Sequence, residues 1–389
     1  MPTRRRVLAV LLVLAAQFFP AGRALAQQPG PSWRPRMRLQ GEVRYDNNPF
    51  LLDATRKQRL EAPSAADSVN GRFRDMQNAT DIIPVASADV ALGLPGAFGR
   101  PLEISADAAY EANVNNAHRR HAELSFALEQ ALPKAGRTRL RAEWRPSYFW
   151  RNYLSDAIDD NGDNNIEPSE RIYRPGTSDE LDLTLNVRRR LLKRIRGELE
   201  AGYFTRTYAA PFDGRDRRGP GAAAGMSLEI GKRSTAGVDY AFQSLQSDVA
   251  REVMILDETA FGVDFNGING ASDTAARAFE LVDRSRVEHN VELSVQTELS
   301  DAVTLALGYA RRMRVFGSSQ PYDVADRDRR DTRNEFTAEL TVRVRHGMRF
   351  TVSGAAARQN TNRGGDPGAS GEVADYSRSV VTAGLAYRF

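Results

Sequence analysis

Four histidines (His118, His121, His289 and His346), no cysteine and a charge set dominated by arginine are what this 389-residue chain offers for chemistry. Without cysteine there is no thiolate nucleophile, no thiolate metal site and no disulfide framework. A histidine on a strand could serve a hydrolytic dyad if a serine stood two residues away on the same face, but around His289 those positions hold Val287 and Val291. His118 and His121 could activate a water together with loop aspartates; two polar residues in a solvated loop would look the same, and nothing in the sequence supplies the remaining parts of a site. The chain is therefore not expected to be an enzyme or to hold a cofactor.

A second candidate is the acidic run "SDAIDDNGDNNIEPSE" at 155–170. Asp159, Asn161, Asp163 and Glu167 present oxygens suited to calcium, and Gly162 permits a sharp turn, but an EF-hand register through Gly162 would put Ala157 at the first ligand position. The phase is wrong and no helix pair flanks the run. A solvated acidic loop is the competing reading, and no metal is assigned.

Charge composition excludes a further class. Lys and Arg number 54 against 50 Asp and Glu, and a sequence pI near 9.3 would suggest a nucleic-acid partner. Four of the arginines, Arg4, Arg5, Arg6 and Arg23, lie in "MPTRRRVLAVLLVLAAQFFPAGRALA", a basic start followed by an apolar run from Val7 to Phe19 and small residues at Ala24 and Ala26. This is the pattern of a cleaved secretory signal peptide, residues 1–26, too short an apolar run for a membrane-spanning helix. The rest of the chain carries fifty charges of each sign, so no nucleic acid is expected. Residues 27–35 read as a short periplasmic segment.

From residue 36 to 389 the pattern has period two. Alternating segments fall at 36–46, 82–93, 102–114, 121–132, 138–151, 179–190, 195–208, 221–231, 235–246, 286–299, 302–315, 334–345, 347–359 and 376–389. Their length suits strands that cross a bilayer. The links between them alternate: "LPGAFGRP", "PKAGR", "LLKR", "GKRS", "SD" and "HG" are short, whereas Asn47–Asp81, Asn152–Ser178, Ser247–Ser285 and Gly317–Arg333 are long. Lipid offers no hydrogen-bond partner to a strand edge, so such a set must close on itself. The expected fold is all-β: a closed antiparallel transmembrane β-barrel of about 14 strands, with short periplasmic turns and long extracellular loops, forming one domain over 36–389. Aromatics on the apolar parity (Tyr45, Tyr110, Tyr148 with Trp150 nearby, Tyr203, Phe242 and Tyr309 toward one end; Phe350, Tyr387 and Phe389 at the other) read as two interfacial girdles. The apolar "VMILDETAFGVDF" inside 247–285 is expected to pack against the barrel mouth or to fold inward.

The signal peptide, the alternation and the closing "GLAYRF" resemble the bacterial outer-membrane β-barrel porin class. "RYDNNPFLL" at 44–52 is similar to an early motif of porins linked to exopolysaccharide export. The resemblance implies an outer-membrane location, contacts with outer-membrane lipid, and the barrel-assembly machinery as a partner that reads Tyr387 and Phe389. It also implies small polar solutes or a polysaccharide as cargo.

Fourteen strands should enclose usable space, and the inward parity is polar. Arg38, Glu42, Arg139, Arg141, Glu143, Asp182, Arg188, Arg196, Glu200, Glu292, Glu339 and Arg343 are the candidate pore-lining residues. Two readings fit them, a ladder of ion pairs that holds the wall together and rings of charge that select ions. Carboxylates near mid-height, among them Glu42, Asp107, Glu123, Glu143, Asp182, Glu200, Asp239, Glu292 and Glu339, suggest mild cation preference. Arginines toward the periplasmic end suggest the opposite. Three functions stay open: a porin-like channel for small polar or charged solutes, an exopolysaccharide export barrel, and a non-conducting binding or assembly scaffold. If Phe389 is the assembly signal, its deletion leaves export intact but lowers the amount of heat-modifiable protein in the outer membrane; unchanged amounts would remove that role.

Overall fold

The computed structural model describes residues 35–62, 75–133, 136–158, 170–257, 275–318, 326, 328–345, 347–362 and 375–388. The signal-peptide residues, the calcium-loop residues Asp159, Asn161, Asp163 and Glu167, and Phe389 lie outside them. Fourteen strands form a closed antiparallel barrel: β1 (Pro35–Asp46), β2 (Asp81–Pro95), β3 (Pro101–Glu111), β4 (His121–Leu132), β5 (Gly136–Ala157), β6 (Arg171–Leu192), β7 (Ile195–Tyr208), β8 (Arg217–Ile230), β9 (Ser234–Leu245), β12 (Arg286–Glu298), β13 (Val303–Phe316), β14 (Arg330–Arg345), β15 (Met348–Thr361) and β16 (Tyr376–Arg388). Neighbours follow chain order except that β9 pairs β12, and β1 pairs β16 to close the ring. The intervening β10 (Ala250–Asp257) and β11 (Ala275–Val282) form a separate two-stranded sheet.

The strands form where alternation predicts them because one side of each is apolar and the other polar, which suits a sheet with two different surroundings. Met37, Leu39, Val43 and Tyr45 of β1 are exposed in turn, as are Leu199 and Tyr203 of β7 and Val381, Leu385 and Tyr387 of β16. Which side is concave is settled by ion pairs that skip a strand. Arg36 and Arg44 of β1 reach Glu103 and Glu111 of β3, and Arg190 of β6 reaches Glu229 of β8. Side chains two strands apart converge only inside the curve, so the polar parity is the lumen and the exposed apolar parity is the outer wall.

Antiparallel order puts successive links at opposite ends. One end has the tight connections 96–100, 133–135, 193–194, 231–233, 299–302 and 346–347, and the other has 47–80, 112–120, 158–170, 209–216, 246–285, 317–329 and 362–375. In the tight set, Gly231 at φ +67° and Gly347 at φ +79° occupy the left-handed region that a side chain disfavours.

Three features depart from the alternation. The 47–80 link contains a helix, α1 (Ala54–Glu61), whose Asp53 side chain caps the Arg56 amide. The 246–285 link contains the β10–β11 hairpin, with β10 lying against β5 and the turn at Asp213–Arg215. β5 and β6 each run 22 residues, beyond the expected 138–151 and 179–190, and their register shifts three times, first between Arg145 and Tyr148. Ser147, at φ +50°, sits in that first shift. A bulge reverses parity, so Tyr148 leaves the outer girdle and packs inside, edge-on to the His121 ring at 4.8 Å and bonded through its hydroxyl to Arg119. Trp150 goes with it, under the Arg119 guanidinium at 5.2 Å. Tyr45, Tyr110, Tyr203 and Phe242 stay exposed, as do Phe350 and Tyr387 at the tight-turn end.

The barrel closes through the residues of "RYDNNPFLL". Asp46 is ion-paired to Arg378 at 2.5 Å, Asn47 accepts from the Ser379 amide, and Asn48 donates to the carbonyls of Leu52 and Ser377. Phe50 and Leu52 then enter a small core with Leu60, Met76, Ala79 and Phe149, which ties the start of the 47–80 link to β5. Asn48 is fully buried and its amide has no replacement donor, so Asn48→Ala should cost about 1–3 kcal/mol. The expected reading is a lower unfolding temperature of the purified barrel with unchanged strand content; an unaltered temperature would mean the seam does not depend on it.

Candidate functional site: the charged lumen

Every candidate pore-lining residue falls on the concave parity, and among the described residues six of the twelve join ion pairs between or along strands. Arg38 meets Asp89 at 2.6 Å, Glu42 meets Arg44 at 3.0 Å and Arg141 meets Glu143 at 2.9 Å. Arg188 meets Glu198 at 3.6 Å and Arg196 meets Glu229 at 2.5 Å. Arg145 links three strands, bonding Glu123 of β4 at 2.6 Å and Glu180 of β6 at 2.9 Å. These pairs are half-exposed and worth little singly, but a network shares the entropy cost of ordering its side chains. Arg139 and Arg343 have no ion pair among the described residues; Arg343 stands opposite Arg349 across β14 and β15.

A different group of carboxylates is left over. Asp107 accepts only a serine bond from Ser125, Glu200 a bond from the Asn186 amide and Glu339 one from Thr341. Asp182 has no ion pair among the described residues, and Asp239 stands opposite Glu292 in the strand register. Of the nine mid-height carboxylates, only Glu42, Glu123 and Glu143 are matched by arginine. The other six, on β3, β6, β7, β9, β12 and β14, are spread round most of the circumference.

Toward the long-loop end lies a feature that strand-by-strand reading missed. Arg206 of β7 stands directly opposite Arg217 of β8, and Arg312 of β13 directly opposite Arg333 of β14. With Arg286 and Arg314 they crowd one arc of the wall. Glu288 binds Arg286 at 2.6 Å and Arg314 at 3.2 Å, Glu180 binds Arg206 at 2.7 Å, and Glu335 binds Arg333. Above this arc, Arg284, Asp326, Arg329 and Asp331 form a buried ionic cluster, with Arg329 lying over the Phe316 ring at 3.9 Å. It fastens the ends of the 246–285 and 317–329 links to β13 and β14.

Among the described residues the histidines are placed apart from one another in their contacts, except that His118 and His121 share one loop end. His118 lies 3.4 Å from Asp75, His121 lies against Tyr148, and His289 faces outward with Nδ1 2.8 Å from the Tyr240 hydroxyl. No cluster of three or more metal-ligating side chains occurs among the described residues.

No protein-family model matches the chain, and no curated protein matches it. Several solved outer-membrane proteins are similar to it at low scores. OmpT of Vibrio cholerae is 9% identical over 95% of this chain and 100% of that one, with a TM-score of 0.41. The outer-membrane channel DcaP of Acinetobacter baumannii is 10% identical over 93% and 99%, at 0.41. An anion-selective porin from Comamonas acidovorans is 10% identical over 92% and 99%, at 0.42. At these scores no argument rests on the likeness.

Proposed function

We propose that this protein is an outer-membrane channel that passes small polar or charged solutes through a charged lumen. The observation that carries the reading is the closed ring of fourteen strands with an exposed apolar outer wall and a charged concave face. An apolar wall edged with aromatics matches lipid and its two interfaces, and the closed ring leaves no strand edge unpaired. Sorting of the links into a tight end and a long end supports an orientation with the tight turns in the periplasm and the long links outside.

Selectivity follows from how the charges are distributed. At the tight-turn end Arg36, Arg38, Arg137, Arg188, Arg190 and Arg196 are matched by Glu103, Asp89, Glu129, Glu198 and Glu229, while Arg139 and Arg343, without an ion pair among the described residues, keep a positive charge there. The long-loop arginines occupy one arc. The unmatched carboxylates form a belt, and a belt acts on every ion that crosses its plane whereas an arc acts on one side. The channel therefore prefers cations mildly at low salt, and the preference fades as the screening length drops below its value of ~10 Å at 0.1 M.

Purified protein in a planar bilayer tests both parts. Discrete current steps are expected; their absence would favour a non-conducting scaffold. In a salt gradient, the combined change Asp182→Asn, Glu200→Gln, Asp239→Asn and Glu292→Gln should move the reversal potential toward anions. A potential that stays put would assign these carboxylates to the wall alone, and an unmodified protein that already prefers anions would overturn the assignment.

A further inference from the structure

We infer that the arginine arc at the long-loop end is a binding site for an oxyanion, the phosphate or carboxylate group of a small solute. This deepens the channel reading, since the site lies where a solute entering from the long-loop side would first meet the lumen. The geometry is that of a built cavity of about 300 Å³, lined by Arg206, Arg217, Arg286, Arg312 and Arg314 against one carboxylate, Glu288. Counting Glu180, which binds Arg206 from beside the cavity, the guanidinium groups still exceed the carboxylates by a wide margin.

Two of the arginines, Arg217 and Arg312, are not held in an ion pair among the described residues, although Arg312 feels the charges of Glu288 and Glu335. Arg217 is 8% exposed, and its Nε has no hydrogen-bond partner. The Nε atom of Arg206 is likewise buried and unbonded, whereas that of Arg314 lies 3.2 Å from Glu288. A buried, unmatched charge is costly, and like charges directly opposite across a ladder add to the cost; Arg206–Arg217 and Arg312–Arg333 are two such pairs on the same arc. A wall-bracing role would call for alternating signs, as in the pairs lower in the lumen. An oxyanion supplies what is missing. Its negative charge offsets the surplus, and its oxygens accept the forked N–H donors of guanidinium in bidentate fashion. Phe204 and Leu245 on the cavity wall limit water there and strengthen the attraction.

The test is calorimetric titration of the full chain in detergent with sodium phosphate and, separately, sodium glucuronate, at fixed ionic strength in a chloride background. A saturable isotherm with single-site stoichiometry is expected. Saturation by phosphate alone supports a site for phosphorylated solutes, by glucuronate alone a site for sugar acids, and by both a site for either oxyanion. The double variant Arg217→Gln, Arg312→Gln should bind at least about tenfold more weakly, while its unfolding temperature without added anion equals or exceeds that of the unmodified chain because the crowding is relieved. Should the variant not fold, the unmodified chain still decides, since its unfolding temperature must rise with phosphate at constant ionic strength. Absence of saturable binding by both anions, or unchanged affinity in the variant, overturns the inference. A chain that conducts but binds neither anion fails this inference alone; one that binds but does not conduct fails the channel reading alone.

Discussion

The pairing of β1 with β16 is the interaction on which everything else depends. Without it the sheet has two open edges, each a row of unpaired N–H and C=O groups, and no such sheet can stand in lipid. Nine residue pairs, from Arg38 opposite Arg388 to Asp46 opposite Val380, make the seam. The chain reinforces its long-loop end with more than backbone bonds. Asp46, Asn47 and Asn48 each reach β16 through a side chain, and Phe50 begins a core that continues to β5. The motif that looks like a family signature in the sequence thus has a physical task in closing the ring.

Closure also dictates the charge pattern. Once the apolar parity is committed to the outer wall, every second residue of fourteen strands must face a common interior, and these side chains are close enough to pair across and beyond adjacent strands. Where arginine and carboxylate alternate, they neutralise one another and brace the wall. In two zones they do not. The mid-height belt is short of arginine, and the long-loop arc is short of carboxylate. Those two imbalances, and not the total charge, are what a permeating solute would encounter.

Most of the fold was legible in the sequence, because period two is a local property and each strand displays it alone. The boundaries hold to within a few residues except where alternation is interrupted. In β5 the shift at Ser147 reverses parity, so Tyr148 and Trp150 cannot be placed by counting from Arg137. The β10–β11 hairpin is a sheet of its own that lies against β5, and the apolar run at 253–265, of which 258–265 lie outside the described residues, pointed only to packing or inward folding. The inward set was also legible from parity. What could not be read strand by strand is the arginine arc, since Arg206, Arg217, Arg286, Arg312 and Arg314 come from four strands and meet only through the registers that set their relative heights. Two like-charged cross-strand pairs in one neighbourhood are the signal that would have revealed it, and that signal exists only once the registers are known.

The central claim, that alternate residues of one strand face lipid and an aqueous lumen, can be measured directly because the chain contains no cysteine of its own. Single cysteines placed one at a time from Glu198 to Arg206 along β7, each carrying a nitroxide, report oxygen access from lipid and nickel-chelate access from water in reconstituted vesicles. Oxygen access is predicted to peak at positions 199, 201, 203 and 205, with nickel access peaking at 198, 200, 202, 204 and 206. Equal access at neighbouring positions, or the opposite phase, would contradict the account.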